Sequence, residues 1–334
     1  MPKLYIEEYR RALSGKAVLI ACREGILRDH FADIVSDIKF LNRQGIVTTL
    51  LHNMPNRFAN QKHFRELAAR LSDTRIVRLQ PESDFYLQVL AYEGRIHKLI
   101  LLERKYLIDR NGEKINSLTT TAARCKAFAI ADLIANTNVK GMLGLICQKI
   151  EAGTCERVHI LPAGKNTIKH ELFTIEGSGT LIANNFTETF SKVNGFKEAN
   201  IIVGILNSYR RSDFLKPRSK TYILHHKDNF YVAKIDGIIV GCIEKKIINE
   251  NTVELGAVAI STKFRNQRVG VFIITTFMHE MRIEGYHHFI SLTNNPKLKK
   301  LYKQLGFKPK SPLQYQDRQK KSVGVQMFVK RTTF

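Results

Sequence analysis

Residues 253–271 read Val-Glu-Leu-Gly-Ala-Val-Ala-Ile-Ser-Thr-Lys-Phe-Arg-Asn-Gln-Arg-Val-Gly-Val, and this stretch decides the fold of the C-terminal half. The apolar run over residues 253–260 predicts a strand, and the pattern after the basic turn predicts a helix over residues 269–283. A turn that opens a helix directs free backbone N–H groups and the positive end of the helix dipole at an anion. Arg265 and Arg268 would add charge-assisted contacts to a pyrophosphate. An ordinary β–α turn is the alternative, and this segment alone does not separate the two.

The residues on either side predict an α/β unit around this stretch. Asp236-Gly237 is a hairpin signal between two apolar runs, and Gly306 ends a predicted helix. The predicted elements are a helix over residues 201–209, strands over 230–233, 238–244 and 289–292, a helix over 297–305, and a last strand over 323–330. Residues 191–200, which contain Asn194-Gly195, are predicted to link this unit to the N-terminal half.

A second motif follows in the same half. Asn295 is followed by Leu301-Tyr302-Lys303-Gln304-Leu305-Gly306-Phe307. Together with the basic turn, this pattern resembles the GNAT acetyltransferases over residues 200–334. The resemblance implies an α+β fold that binds acetyl-CoA as the acetyl donor and uses no metal. In one departure from the family, Arg268 replaces the first of two glycines and only Gly270 remains, which weakens close backbone approach to the pyrophosphate.

The GNAT resemblance also implies a set of acetyl-CoA-binding residues at the strand end, the turn and the helix start. They are Val258, Ala259, Ile260, Arg265, Asn266, Gln267, Arg268, Val269, Gly270, Val271 and Asn295.

Acetyl transfer to an amine needs a base for the amine proton and an acid for the departing thiolate. Glu254, on the strand before the turn, is the candidate base, acting directly or through water; the alternative is a solvated strand glutamate. Tyr302 is the candidate acid that the resemblance places near the thioester sulfur, and a packed helix aromatic is its alternative. Thr293 is a second candidate acid, or a cap of the turn that follows it.

The N-terminal half predicts a separate α/β domain over residues 1–190. Predicted strands over residues 17–21, 46–51, 99–102 and 157–161 are separated by predicted helices over residues 30–41 and 119–137. Residues 171–182, Glu-Leu-Phe-Thr-Ile-Glu-Gly-Ser-Gly-Thr-Leu-Ile, resemble the closing segment of the amino-acid kinase fold in acetylglutamate kinases and N-acetylglutamate synthases. A kinase-like domain followed by a GNAT domain at residues 200–334 is the layout of the N-acetylglutamate synthase family.

The chemistry of the kinase-like domain is predicted to be lost, and the domain is predicted to be short between about residues 60 and 95. Ala21-Cys22-Arg23-Glu24-Gly25 stands where a Lys-x-Gly-Gly motif would cradle phosphate, His52-Asn53-Met54-Pro55 replaces a glycine-rich turn, and Leu145 replaces a lysine. Phosphoryl transfer depends on such donors. A non-catalytic or regulatory domain is therefore expected.

The resemblance to the synthases implies two further sites. Glu176, Gly177 and Gly179 fall in a region that contributes to an arginine effector site in that family; a packed turn that needs glycine is the alternative. Arg218 matches a substrate-binding arginine, and Arg318, Lys320 and Lys321 approximate an Arg-Lys-Ser run of the same site. A lysine binds a carboxylate less specifically than the arginine fork does. The alternative for each of these four basic residues is a solvated position on the surface, without a role in binding.

The length and composition of the chain indicate its number of domains, its charge and its cellular compartment. The chain has 334 residues, which suggests two domains, and its 53 lysines and arginines against 30 acids give a net charge of +23. Residues 191–334 carry 26 of the bases and 10 of the acids. Five scattered cysteines without a C-x-x-C pair, no apolar signal segment and no run long enough to span a bilayer predict a cytoplasmic protein with reduced thiols.

The leading hypothesis is an enzyme that acetylates the α-amine of an amino acid, with L-glutamate as the best-matching acceptor, in arginine biosynthesis and as a homo-oligomer. A GNAT enzyme for another amine is the first alternative. The basic C-terminal half motivates a second, a protein that binds nucleic acid or another polyanion and keeps only the shell of a GNAT fold.

Overall fold

The computed structural model describes residues 4–94, 96–108, 112, 114–125, 141–174, 177–184, 188–209, 214–235, 237–261, 269–310 and 324–332. The chain divides into two compact units, residues 1–186 and residues 187–334. Within the described ranges, no helix is both long and apolar enough to cross a membrane.

The first unit alternates strands with helices. Its elements are α1 (Ile6–Leu13), β1 (Ala17–Cys22), α2 (Glu24–Arg43), β2 (Val47–His52), α3 (Asn56–Ala59), α4 (Lys62–Ala69), β3 (Thr74–Arg78), α5 (Phe85–Ala91), β4 (Ile96–Glu103), β5 (Ser117–Thr119), α6 (Thr120–Cys125), α7 (Leu143–Glu151), β6 (Cys155–Pro162), α8 (Thr167–Phe173) and β7 (Thr180–Ala183).

These strands form one sheet in the order β3-β2-β1-β4-β6-β7-β5. The neighbours from β3 to β6 are parallel, β7 runs antiparallel to β6, and β5 is parallel to β7. Strands that are covered on both faces have continuous apolar sequences, as β1 and residues 99–102 of β4 do. Leu19, Ile20, Leu99 and Ile100 are accordingly buried at the centre of the sheet.

A buried carboxylate joins two helices of this unit. Asp37, on α2, is 2% exposed, and its Oδ2 accepts a hydrogen bond of 2.9 Å from the backbone N–H of Ile168 in the first turn of α8. It therefore supplies the N-terminal capping acceptor that the side chain of Asn166, in a left-handed conformation at φ 60°, does not supply. Burial raises the pKa of Asp37 to about 6, against the opposing effects of the backbone hydrogen bonds and of Lys169.

The second unit is a seven-stranded sheet with helices. Its elements are β8 (Glu188–Lys192), α9 (Gly195–Ser208), α10 (Lys220–His225), a 3₁₀ turn (Lys227–Asn229), β9 (Phe230–Ile235), β10 (Ile238–Asn249), β11 (Thr252–Ile260), α11 (Val269–Ile283), β12 (His288–Thr293), α12 (Pro296–Gln304), β13 (Lys308–Lys310) and β14 (Gln326–Arg331).

The strand order of the second sheet is β13-β14-β12-β11-β10-β9-β8. Six strand pairs are recorded, and all are antiparallel except β11 with β12. Helix α11 connects these two parallel strands and buries Ile273, Ile274 and Phe277. The core of this unit therefore surrounds the central strands β10, β11 and β12.

The predicted link over residues 191–200 is wrong. Residues 188–192 form the edge strand β8, which pairs with β9, and α9 begins at Gly195, whose φ is +78°. The predicted helix over residues 30–41 is longer and begins at Glu24, with a kink at His30. The predicted helix over residues 119–137 is seen as α6 up to Cys125, and its remainder lies outside the described residues.

Replacing Asp37 by asparagine is expected to change how stability depends on pH. Because the folded-state pKa is raised above the reference value of 3.8 to about 6, the free energy of unfolding of the native protein should fall as the pH rises through that window. Asp37→Asn keeps an oxygen acceptor for Ile168 but does not ionise. Urea unfolding of both proteins should show their difference shifting by roughly 2–3 kcal/mol across the window; a difference independent of pH would refute this account.

Candidate active site

A cavity opens where two parallel strands part. Backbone pairing of β11 with β12 is limited to Thr252–His288, Val253–Phe289 and Glu254–Ile290. Beyond these pairs β11 continues to Ile260 and β12 to Thr293, and a cavity of about 480 Å³ is lined by residues of both strands. The end of the pairing therefore sets the position of the cavity.

A hydroxyl group bridges the strands at the point of divergence. Ser291 Oγ lies 3.2 Å from the carbonyl oxygen of Leu255 and 2.8 Å from Tyr302 Oη. A serine hydroxyl has one proton to donate, so donation to Leu255 leaves Ser291 accepting from Tyr302. Ser291 and Leu255 line the cavity, whereas Tyr302 is fully buried behind Ser291.

A β-bulge shapes the other wall. The register of β10 against β11 shifts between the pairs Cys242–Ala259 and Glu244–Gly256. Ala257, in the bulge, has a φ of 46°, a left-handed conformation that is unusual for a residue with a Cβ. A bulge interrupts the hydrogen-bond ladder, so backbone groups near Ala257 and Val258, which line the cavity, can serve a ligand.

Charged side chains line the cavity on the β10 side. Lys246 stands opposite Glu254 in the register of the two strands, and its Nζ donates a hydrogen bond of 3.2 Å to Glu254 Oε1. The same Nζ lies 3.7 Å from Glu244 Oε2. The Glu254 side chain is only 7% exposed, whereas that of Lys246 is 30% exposed, so the carboxylate is withdrawn from water and the lysine is partly solvated.

Glu244 is itself held by two further residues. Its Oε2 accepts a hydrogen bond of 3.0 Å from Arg218 Nη2, and its Oε1 accepts one of 2.8 Å from the Tyr222 hydroxyl. The Arg218 guanidinium also lies 5.2 Å from the centroid of the Tyr222 ring, a cation–π contact. Arg218, Lys246 and Glu254 all line the cavity.

The remaining predicted residues near the cavity have structural partners. Asn295 Oδ1 accepts hydrogen bonds from the backbone N–H groups of Lys297 and Leu298 and caps α12. Thr293 Oγ1 accepts a hydrogen bond of 3.1 Å from the N–H of Asn295, which is the capping alternative for this residue. Both side chains also line the cavity, as does Val258.

Gly270 has a clear packing role. A Cβ at this position would lie 2.8 Å from Leu301 Cδ2 and 3.0 Å from Ile260 Cδ1, so the glycine lets α11 approach α12 and the end of β11 closely. Val269, Gly270 and Val271 form the first turn of α11, and Ala259 and Ile260 end β11. The predicted turn residues Arg265, Asn266, Gln267 and Arg268, and the predicted substrate residues Arg318, Lys320 and Lys321, lie outside the described residues.

Sequence reasoning missed Glu244, Lys246, Tyr222 and Ser291. Glu244 and Lys246 are two residues apart on β10 and therefore share a face, but a charged end of a strand is also typical of a solvated surface. Their partners become evident only from the register against β11. Within the described residues, no group of three or more metal-ligating side chains is present.

The carboxyl edge of the first sheet is filled by groups that bind one another. Arg23, which follows β1, forms an ion pair of 2.9 Å with Glu103 at the end of β4, and the Tyr86 hydroxyl donates to the same carboxylate. The N–H of Glu24 donates to Asn53 Oδ1 over 2.8 Å. These are the segments in which the phosphate-binding motifs of a kinase are absent.

The effector candidates of the first unit lie on a tightly held turn. Gly177 has a φ of 65°, and the N–H groups of Ser178 and Gly179 donate to Oε2 of the buried Glu171 over 2.6 and 3.0 Å. A Cβ on Gly179 would lie 2.2 Å from the carbonyl oxygen of Ile160. Both glycines are thereby explained as parts of a packed turn, the alternative to the effector role; Glu176 lies outside the described residues.

The chain is similar in sequence to known acetyltransferases. Residues 200–307 match the model of the acetyltransferase (GNAT) family. An amino-acid acetyltransferase of Neisseria meningitidis serogroup B is 25% identical over 221 residues, which cover 63% of this chain and 49% of the relative. The serogroup A protein of the same description is 24% identical and covers 62% and 46%. The chain therefore spans about half the length of the curated relatives that it matches.

A solved structure matches over nearly the whole chain. The crystal structure of N-acetylglutamate synthase from Neisseria gonorrhoeae, complexed with coenzyme A and L-arginine, aligns with 99% of this chain and 98% of its own at 16% identity and a TM-score of 0.54. The predicted fold class is confirmed in its mixed α/β architecture with two sheets, in the match to the synthase fold over the whole chain and in the GNAT domain of the C-terminal region. The predicted resemblance to the N-acetylglutamate synthases is confirmed as well.

The packing role of Gly179 predicts a loss of stability on substitution. Gly179→Ala places a methyl group against the Ile160 carbonyl and should destabilise the first unit by about 1–3 kcal/mol. Gly144→Ala is the matched control, because a Cβ on this exposed glycine of α7 meets nothing within 4 Å and should stabilise the helix by up to about 1 kcal/mol. Thermal and urea unfolding measure both; equal effects in the two variants would contradict the packing role.

Proposed function

We propose that this chain is an amino-acid N-acetyltransferase that transfers the acetyl group of acetyl-CoA to the α-amine of L-glutamate. The observation that carries the proposal is the cavity at the parting of β11 and β12, which brings a carboxylate, Glu254, and cations, Arg218 and Lys246, onto one surface. The likeness to amino-acid acetyltransferases and to the synthase fold supports it.

The cations select an acceptor that carries a carboxylate. Arg218 uses Nη2 to bind Glu244, while its buried Nε has no hydrogen-bond partner among the described residues. A buried donor without an acceptor is unfavourable, and an incoming carboxylate would relieve this state with a charge-assisted bond. Lys216 adds a further positive charge to the lining. An amino acid with a second carboxylate matches these groups.

Glu254 is the base of the proposed reaction. It takes a proton from the acceptor ammonium, directly or through water, and the free amine attacks the thioester carbon. A C–N bond forms and the C–S bond breaks. To the backbone N–H groups of the bulge at Ala257 and Val258, residues that line the cavity, the proposal assigns the stabilisation of the oxyanion between the two steps. Attack is direct, because Cys242 is fully buried and burial raises its pKa to about 12, which makes it a poor nucleophile.

The departing thiolate takes up the proton that the attacking nitrogen loses, and Ser291 turns its hydroxyl from the Leu255 carbonyl to donate a hydrogen bond to the sulfur. Burial raises the pKa of Tyr302 well above its usual value, so Tyr302 is a weaker acid than a solvated tyrosine and does not reach the cavity surface. Tyr302 therefore supports the thiolate through Ser291, with which it shares a hydrogen bond of 2.8 Å. This role replaces the direct acid role that was expected for Tyr302.

The further expectations belong to the same proposal. The first unit serves as a non-catalytic domain, L-arginine is its effector, the chain assembles with copies of itself, and the enzyme acts in the cytoplasm in arginine biosynthesis. Arginine binding is supported by the L-arginine in the matching synthase structure.

Release of CoA from acetyl-CoA should depend on L-glutamate and match the N-acetylglutamate formed. Glu254→Gln should lower kcat by about 10²–10⁴, the usual contribution of a positioned base. Arg218→Lys should raise the KM for glutamate about tenfold and leave the KM for acetyl-CoA unchanged, because a lysine lacks the planar fork. Glutamate-independent CoA release in protein that binds acetyl-CoA would point to another amine instead.

The arrangement of hydroxyl groups predicts an order of effects. Ser291→Ala removes the hydroxyl of a residue that lines the cavity and should lower kcat by about 10–10². Tyr302→Phe leaves that hydroxyl in place and should lower kcat less than tenfold. Steady-state rates at saturating acetyl-CoA test the order. A larger loss in Tyr302→Phe than in Ser291→Ala would show that the tyrosine itself serves the sulfur.

A further inference from the structure

Four charged side chains form an alternating chain across the cavity wall. Arg218 binds Glu244, Glu244 faces Lys246, and Lys246 binds Glu254, with nitrogen–oxygen distances of 3.0, 3.7 and 3.2 Å. Lys246 is therefore within ion-pair distance of two carboxylates at once. One of them is the proposed base and the other is the partner of the proposed carboxylate-binding arginine.

Lys246, which lies between the two acids, is freer to move than Glu244 is. Glu244 is 3% exposed at its side chain and is anchored by Tyr222 and Arg218, whereas the Lys246 side chain is 30% exposed. A four-carbon stem lets the ammonium group move by rotation about several bonds. In any exchange of partners, the lysine moves and Glu244 stays.

Gly256 provides the space for this movement. It pairs with Glu244 in the strand register, and a Cβ on it would lie 2.8 Å from Lys246 Cε and 3.1 Å from Lys246 Nζ. The stem of Lys246 thus lies across a surface that carries no side chain, between the two carboxylates. A larger residue at position 256 would obstruct it.

We propose that Lys246 passes from Glu254 to Glu244 when a carboxylate of the acceptor binds Arg218, and that this exchange releases Glu254 to act as the base. The inference rests on the proposed function and deepens it. A carboxylate on Arg218 shares the positive charge that otherwise compensates Glu244, so Glu244 attracts Lys246 more strongly. Glu244 is then a positioning residue that acts through Lys246, and the acceptor carboxylate contributes to turnover as well as to binding.

Glu244→Gln tests the exchange. Without the charge at position 244, Lys246 stays on Glu254, so kcat for L-glutamate should fall about tenfold while the KM for glutamate does not rise. Glu198→Gln is the matched control, because it removes a carboxylate of the same unit that binds Lys234 over 2.7 Å and does not line the cavity. Its kcat should equal that of the native enzyme.

A double-mutant cycle separates the exchange from a packing defect. In a Lys246→Met background no lysine covers Glu254, so adding Glu244→Gln should change kcat by less than about twofold. L-glutamine and the α-amide of glutamic acid, each lacking one carboxylate, supply the second readout. With the native enzyme, the analogue that leaves Arg218 unoccupied should show a lower kcat than L-glutamate. With Lys246→Met, the same analogue should show only a higher KM.

Each outcome decides the proposal. An equal effect of Glu244→Gln in both backgrounds overturns it, as does a rise in both KM values with a lowered Tm, which indicates a structural role. If the native enzyme acetylates glutamate and Glu244→Gln behaves like Glu198→Gln, the exchange is refuted and the proposed function stands. If the native enzyme acetylates no carboxylate-bearing amine, the proposed function and the exchange fall together.

Discussion

The short parallel pairing of β11 with β12 is the constraint on which the chemistry of the second unit depends. Three residue pairs hold the strands together, and the ladder ends at Glu254 and Ile290. In a regular sheet the backbone N–H and C=O groups of the next residues would form hydrogen bonds between the two strands. Here Ser291 bridges to Leu255 through a side-chain hydroxyl, and the space beyond becomes the cavity. Glu254, the proposed base, stands at the last paired position, where the opening begins.

The charges around the cavity follow from strand register in the same way. Opposite residues of an antiparallel pair bring their side chains together, which places Lys246 against Glu254, and a period of two puts Glu244 on the same face. The bulge at Ala257 changes the register just beyond these pairs. Largely buried ion pairs add little net stability compared with apolar packing. Their concentration at one cavity therefore supports the proposed role in binding and catalysis.

The sequence predicted most of this frame, and the failures have physical reasons. The helix of residues 269–283 and the hairpin at Gly237 were evident from apolar periodicity and turn chemistry. Strand β8 was missed because Glu188, Thr189 and Lys192 are exposed on an edge strand, where no apolar pattern is required. The Asn194-Gly195 pair was interpreted as a link because glycine at positive φ serves helix starts as well as turns. Glu254 became a candidate through its place on the strand before the turn and Arg218 through family resemblance, whereas the contacts of Glu244 and Lys246 depend on register and a bulge, which single-residue patterns do not encode.

The ion pair between Arg23 and Glu103 makes three positions of the first unit depend on one another. Loss of Glu103 alone removes the acceptor that Arg23 and the Tyr86 hydroxyl share, and loss of Arg23 alone leaves a buried carboxylate less compensated. Each single replacement is destabilising, so these three positions are expected to change together rather than one at a time. The residue at one of them therefore restricts which residues the other two can accept, and among descendants of this chain the three positions should co-vary.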